Sequence, residues 1–307
     1  MINTKQKVEG LVNHLCDGLY EREEVMKLAL LATISGESIF LLGPPGVGKS
    51  LIARRLKNAF NGGKSFEYLM TKFSTPDEVF GPISIKKLKE EDKYERLTSE
   101  YMPGATIVFL DEIWKASSSI QNALLTIINE RVYRNGEQEI KVDIKSILTA
   151  SNELPPNNAS FGPLWDRLLI RFQMAGVKQR NSFIKLITDT KDVYEVNIPK
   201  ENQISLDELS IWGKEINDVD VPEEVLNTIQ FIREKIEDFN NKKGSDEPIE
   251  IYDRRWKKII RLLRTSAYLN DRKSVDLMDC FLMVHCLWNT PNQIEPIKDI
   301  VSEVIRK

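Results

Sequence analysis

Apolar residues follow two rhythms along the chain. Up to about residue 198, short and nearly unbroken apolar runs alternate with stretches at helical spacing. Beyond residue 199 only the helical spacing remains. The runs at 38–42 (SIFLL), 66–70, 106–110 (TIVFL), 146–150 (SILTA) and 171–174 read as strands. Unbroken apolar runs suit strands covered on both faces of a parallel sheet. Helices are expected up to about Cys16, over 21–35, 51–60, 117–131 and 164–169. The 117–131 helix has its core stripe at Ile120, Leu124, Ile127 and Ile128. TPDEVFGP reads as a short helix broken at Gly81 and Pro82. Residues 83–97 alternate weakly around a charged tip, KKLKEEDK, which predicts a surface hairpin. A second hairpin is expected at 132–142, where Asn135-Gly136 is a strong turn signal. Helices then follow near 205–217, 222–240, 253–269, 275–289 and 294–306, with a polar loop at 240–250. Alternating strands and helices imply a parallel α/β sheet. The expected division is an α/β domain at 1–198 and an all-α domain at 199–307.

Composition narrows the chemistry. The chain has 307 residues, suiting about two domains. Its 15 glycines and 13 prolines are few, which agrees with much helix. A net charge of −3 gives no general basic footprint for nucleic acid. The apolar stretch at 28–36 is far shorter than the ~20 residues of a membrane span. No apolar core of a signal peptide follows Met1, so the cytoplasm is the expected location. Cys16, Cys280 and Cys286 are too sparse for a disulfide framework, and His14 and His285 too few for a His-rich metal site. Cys280, Met283, Val284 and Leu287 repeat as the buried stripe of a helix. Catalysis must lean on carboxylates, lysines, arginines or a bound ion.

Those residues have an address. Gly43, Pro44, Pro45, Gly46, Val47, Gly48, Lys49, Ser50 and Leu51 form a turn that fits G-x-x-x-x-G-K-[ST]. Glycine turns aim backbone N–H groups inward, and with the next helix N-terminus they cradle phosphate oxygens. Lys49 reaches the β/γ phosphates and the Ser50 hydroxyl ligates Mg²⁺. With glycine near 7% of residues, a chain of this length matches by chance roughly once in a hundred. Here the match also lies between an apolar strand and a helix, where it must. Asp111 and Glu112 end the TIVFL strand. Asp111 suits the Mg²⁺ shell, and Glu112 suits a general base that polarises water for attack on the γ-phosphate. Asn152, ending the next strand, suits orientation of that water.

With GPPGVGKS, IVFLDEIWKA, INER, ILTASNELP and LWDRLLIR in this order, the chain resembles a MoxR-family AAA+ ATPase. EYLMTKFSTPDEVFGP, YERLTS and YDRRWKKIIRLLRTSA look closest to the RavA subgroup. The resemblance implies an α/β domain that binds ATP or ADP with Mg²⁺, a helical lid, and a hexameric ring whose sites are completed by the next subunit. It also implies a client protein, a von Willebrand factor A (VWA) partner, and two inserts matching the expected hairpins at 83–97 and 132–142. Arg167 matches the family's arginine finger, with Arg171 as the runner-up. The sensor 2 arginine, expected to reach its own chain's phosphate, aligns with Arg255 or Arg254. Helical geometry favours Arg255, on the border of the Trp256, Ile259, Ile260 and Leu263 face. The remaining basic residues of RRWKKIIRLLR read as a solvated face. Tyr20 and Glu21 align with the adenine-contacting position, where Tyr20 could equally pack on the core. Two other readings stay open: a DNA-dependent translocase of the MCM-like clade, and a module that holds nucleotide without hydrolysis. Family members carry segments beyond the ATPase core, so this chain reads as a motor core or a short form.

Overall fold

The computed structural model describes residues 3–156, 161–194, 196–243 and 247–306. Parts of two expected loops, 157–160 and 244–246, lie outside them. The chain opens with α1 (Thr4–Cys16), whose first turn is capped by Asn3, and α2 (Glu23–Ser35), which is almost wholly buried. Then come β1 (Ile39–Leu42), α3 (Lys49–Leu56), a two-residue strand β2 (Phe60–Asn61) and β3 (Ser65–Leu69). Two short helices follow, α4 (Pro76–Phe80) and α5 (Ile85–Glu91), before β4 (Ile107–Asp111) and α6 (Ser118–Glu130). The hairpin strands β5 (Val132–Asn135) and β6 (Gln138–Lys141) precede β7 (Ser146–Ser151), α7 (Gly162–Arg167) and β8 (Ile170–Gln173).

Five strands make one parallel sheet in the order β3-β4-β7-β1-β8. Every residue of β1 and β7 is buried, as unbroken apolar runs require of central strands. Phe40 of β1 packs its ring 5.0 Å from Trp165 and 5.3 Å from Trp114, and Trp165 in turn meets Trp288 at 6.1 Å. That aromatic chain carries the core from the sheet into the helical half. After β8, α8 (Arg180–Thr188), β9 (Ile204–Ser205), α9 (Leu206–Glu215), α10 (Glu223–Lys243), α11 (Asp253–Leu269), α12 (Val284–Leu287) and α13 (Ile294–Ile305) complete the chain. The architecture is a parallel-sheet α/β domain with a helical lid. Among the described residues no helix is long and apolar enough to cross a membrane.

Several expectations need correction. The 83–97 segment is not a hairpin. An isolated antiparallel bridge joins Ile83 to Arg96, but α5 fills the space between them. Its Lys- and Glu-rich residues are good helix formers, and the Ser84 hydroxyl caps it by accepting from the Lys87 N–H at 3.3 Å. The 275–289 segment is mostly a 3₁₀ run, Leu277–Met283, with only α12 as true helix. Cys280, Met283 and Leu287 are nonetheless fully buried there, and burial pushes the Cys280 thiol up to about 12. Residues 240–243 continue α10 and are not loop. Helix α8 lies where the hydrophobic pattern predicts no element.

The 132–142 hairpin is present, with Gly136 at φ 64°. A side chain there would place its Cβ 2.4 Å from the Tyr94 carbonyl oxygen. The preceding Asn135 is buried and acts as a strand partner for the first insert. Its Oδ1 accepts from the Arg96 N–H at 2.7 Å, and its Nδ2 donates to the Arg96 carbonyl at 3.1 Å. Asn135→Ala strands both backbone groups, and an orphaned buried group costs about 1–3 kcal/mol. The variant should lose about that much in urea denaturation.

Candidate functional site

The loop between β1 and α3 lies at the carboxyl end of the sheet. Gly46 and Gly48 adopt φ 82° and 88°, a region open to glycine and costly to other residues. Gly43 serves a different need: a Cβ there would lie 2.5 Å from the Met174 carbonyl oxygen. Helix α3 begins at Lys49, so its positive end faces the loop. Lys49 is buried, and its Nζ donates to the carbonyls of Gly43 (2.6 Å) and Pro44 (3.0 Å).

Sheet order brings the acidic residues beside this loop. β7 separates β4 from β1, and neighbouring strands lie roughly 4.8 Å apart. Asp111 registers with Ala150, and Leu42 with Ser151. The ends of β4, β7 and β1 therefore lie side by side, with Asn152 and Gly43 two residues beyond the level of Asp111. The Ser50 Oγ donates to Asp111 Oδ2 at 3.4 Å. A hydroxyl and a carboxylate facing each other are the hard oxygen donors that Mg²⁺ takes, so the residues fit that ion. Glu112 adopts φ 52°, ψ 44°, a left-handed conformation that costs a non-glycine residue about 1–3 kcal/mol. Its backbone N–H donates to Asp111 Oδ1 at 3.0 Å, and its carboxylate meets Lys115 at 3.3 Å. Asn152 is exposed, one residue beyond β7.

The arginines lie at the other end. Arg167 ends α7, three residues before β8, and Ile170 at the start of β8 registers with Ile39 at the start of β1. The length of β1, about 10 Å at ~3.3 Å per residue, therefore separates Arg167 from its own loop. Arg167 Nη1 donates to the Pro163 carbonyl at 2.6 Å, while its Nε is buried without a partner. Burial, and then the positive charge of Arg254, push its pKa down.

Arg255 belongs to this end too, and the structure does not bring it to the 43–51 turn of its own chain. Its side chain is 2% exposed, and its Nη2 meets Asp166 Oδ1 at 2.9 Å, beside Arg167. Arg254, on the far side of the helix, is exposed. Arg171 is excluded as a finger. It is fully buried and donates to the carbonyls of Leu168 (3.1 Å), Trp165 (2.8 Å) and Trp288 and to Asn289 Oδ1 (2.8 Å). It also stacks 3.7 Å from the Trp165 ring centroid. The basic face of α11 is likewise not simply solvated. Lys258 pairs with the buried Glu37 at 2.6 Å, and Arg261 donates to the Ser35 carbonyl at 2.8 Å. Arg254, Lys257 and Arg264 join them along a groove of about 730 Å³.

Tyr20 and Glu21 are both engaged in ordering α8. The Tyr20 hydroxyl donates to Asp189 at 2.7 Å. The Glu21 carboxylate accepts the N–H groups of Lys178 and Gln179, each at 2.9 Å, which lowers its pKa. Sequence reasoning missed Arg22. Its guanidinium donates to the carbonyls of Glu21, Val47 and Ala175. Two of those acceptors are 25 and 153 residues away, so no local pattern marks them.

Known proteins share this layout. Residues 6–212 match a family model described as the MoxR domain in the MoxR-vWA-beta-propeller ternary systems, and residues 224–301 match an AAA lid domain. An uncharacterized protein of Methanocaldococcus jannaschii, MJ0079, is 37% identical over 307 residues, spanning all of this chain and 77% of the relative. A second from that organism, MJ0812, is 39% identical over 286 residues, 93% of this chain and 72% of the relative. A crystal structure of a candidate ATPase from Cytophaga hutchinsonii shares the fold. Its TM-score is 0.73 at 17% identity, covering 99% of this chain and 94% of that one.

The pairing of buried Arg255 with half-buried Asp166 has a measurable consequence. Removing one partner of such a pair costs about 3–5 kcal/mol, because the other is left as a buried, unpaired charge. Asp166→Ala should therefore destabilise strongly in chemical denaturation. Adding Arg255→Met to it should recover most of the loss.

Proposed function

Because the chain belongs to the MoxR family of AAA+ ATPases, we propose that it hydrolyses ATP to ADP and phosphate to remodel or assemble a protein client. The observation that carries this reading is the meeting of Ser50 and Asp111 beside the buried Lys49, at the ends of neighbouring strands. In this reading the 43–51 turn holds the phosphates, with Lys49 as the cation on the β/γ side. Ser50 and Asp111 are the ligands for a Mg²⁺ ion, which would neutralise phosphate charge when bound. Glu112 takes a proton from the attacking water, and Asn152 orients that water. Residues 1–198 serve nucleotide binding and 199–307 serve as the lid.

Arg167 lies near the amino end of the sheet, away from its own 43–51 turn, and in this reading it serves the site of a second copy. A head-to-tail arrangement that brings the amino end of one sheet to the carboxyl end of the next closes into a ring, and we assign six copies. The exposed Arg254 accompanies Arg167 to the neighbour's phosphate. Arg255 acts one step back, holding Asp166 and with it the turn that carries Arg167. The wording at 67–82, 94–99 and 252–267 supports a RavA-like protein. The ternary systems named by the family model support a VWA-domain partner.

Wild-type protein should turn over ATP, and chelation of Mg²⁺ should abolish that turnover. Glu112→Gln should slow it by about 100-fold or more, the usual worth of a general base. No wild-type turnover above that of Glu112→Gln, at concentrations where copies associate, would sink the reading. Mixing Arg167→Ala with Lys49→Ala subunits should restore part of the activity lost in each alone. Demonstrably mixed assemblies without recovery would remove Arg167 from the neighbour's site.

A further inference from the structure

The mouth of the phosphate loop is held by one side chain to which the proposed reaction gives no part. Arg22 lies at the turn into α2, directly after Glu21, whose backbone is left-handed at φ 55°. Its three guanidinium nitrogens each find a carbonyl from a different segment. Nε donates to Val47 at 3.1 Å, Nη2 to Ala175 at 2.8 Å and Nη1 to Glu21 at 2.8 Å. Val47 lies in the phosphate loop, and Ala175 follows β8. The start of the loop touches that same segment, since a Cβ on Gly43 would strike the Met174 carbonyl. Both arms of the loop are thus referred to the chain beyond β8.

A trans peptide points its C=O and the next N–H in opposite directions, and no described peptide is cis. Fixing the Val47 carbonyl on Arg22 therefore turns the Gly48 N–H away from Arg22. Gly48 has φ 88° and no side chain to constrain that plane, so without the arginine the plane can rotate. The planar fork of arginine can hold two divergent carbonyls at once, which the point charge of lysine does poorly.

We infer that Arg22 is a positioning residue of the phosphate loop, presetting the Val47–Gly48 peptide so that the Gly48 N–H faces the polyphosphate before nucleotide binds. The inference rests on the proposed reading of the 43–51 turn as a phosphate site. Its distinctive consequence is that Arg22 serves the phosphates and not the base.

The test is calorimetric binding of Mg·ATP and of inorganic tripolyphosphate to the full chain, as wild type, Arg22→Lys and Arg22→Gln. Arg22→Gln should weaken both ligands by a similar factor, roughly tenfold, the worth of one charge-assisted hydrogen bond. In steady-state ATPase its KM should rise by about that factor, while kcat changes less than threefold. Arg22→Lys should recover part of the loss. Weakened ATP binding with tripolyphosphate unchanged would move Arg22 to the base side and overturn the inference. Both ligands unchanged would overturn it while leaving the phosphate site standing. A wild type that binds neither ligand would end both. Should Arg22→Gln fail to fold, Arg22→Lys carries the same comparison, with a smaller loss shared by both ligands.

Discussion

The placement of β1 between β7 and β8, all three parallel and in register, is the constraint on which the molecule depends. Four buried residues, Ile39–Leu42, decide which groups can meet. The segments leaving β1, β4 and β7 gather at one end of the sheet: the phosphate turn, Asp111, Glu112 and Asn152. The segments entering β1 and β8 gather at the other: Glu37 and Arg167, with Arg255 docked beside them. A parallel sheet has two chemically different ends, and this chain uses both.

The amino end is organised by buried and half-buried cations. Arg171 and Arg255 are buried, and Lys258 and Arg261 reach from α11 to Glu37 and the Ser35 carbonyl. Arg171 satisfies its guanidinium mainly with carbonyl oxygens and the face of Trp165. Burying a guanidinium is expensive unless its donors are met, so each of these contacts fixes geometry. Arg171, Asn289 and Trp288 join β8 to the lid, and Arg255 with Asp166 joins α11 to α7. These contacts tie the helical lid to the segment that carries Arg167.

Much of this was legible in the residues. The sheet strands, the phosphate turn, the acidic pair and the 132–142 hairpin come from patterns shorter than about ten residues. Hydrophobic period and glycine spacing report such patterns directly. The misses share a physical cause. Helix α8 shows none of its residues buried, and its entry is held by Glu21, more than 150 residues upstream. The 83–97 segment alternates weakly, which suggested a hairpin, while its charged centre had the propensity of a helix. Arg22 carries no mark at all, because its meaning lies in the carbonyls it meets.

By itself, then, the sequence determined the scaffold and its motifs: Lys49, Ser50, Asp111 and Glu112 at strand ends of a parallel α/β domain, with a helical lid. These are local facts, set by which side chains come after which strands. Only the tertiary structure decided where the arginines stand. Helical periodicity could place Arg255 on a buried border, but not choose the end of the sheet it is buried against. Arg167, Arg171 and Arg255 are all arginines near apolar residues, and nothing local separates the buried Arg171 and Arg255 from the half-buried Arg167. The parallel register of β1 and β8 and the docking of α11 made that separation, because burial and reach belong to the packed chain.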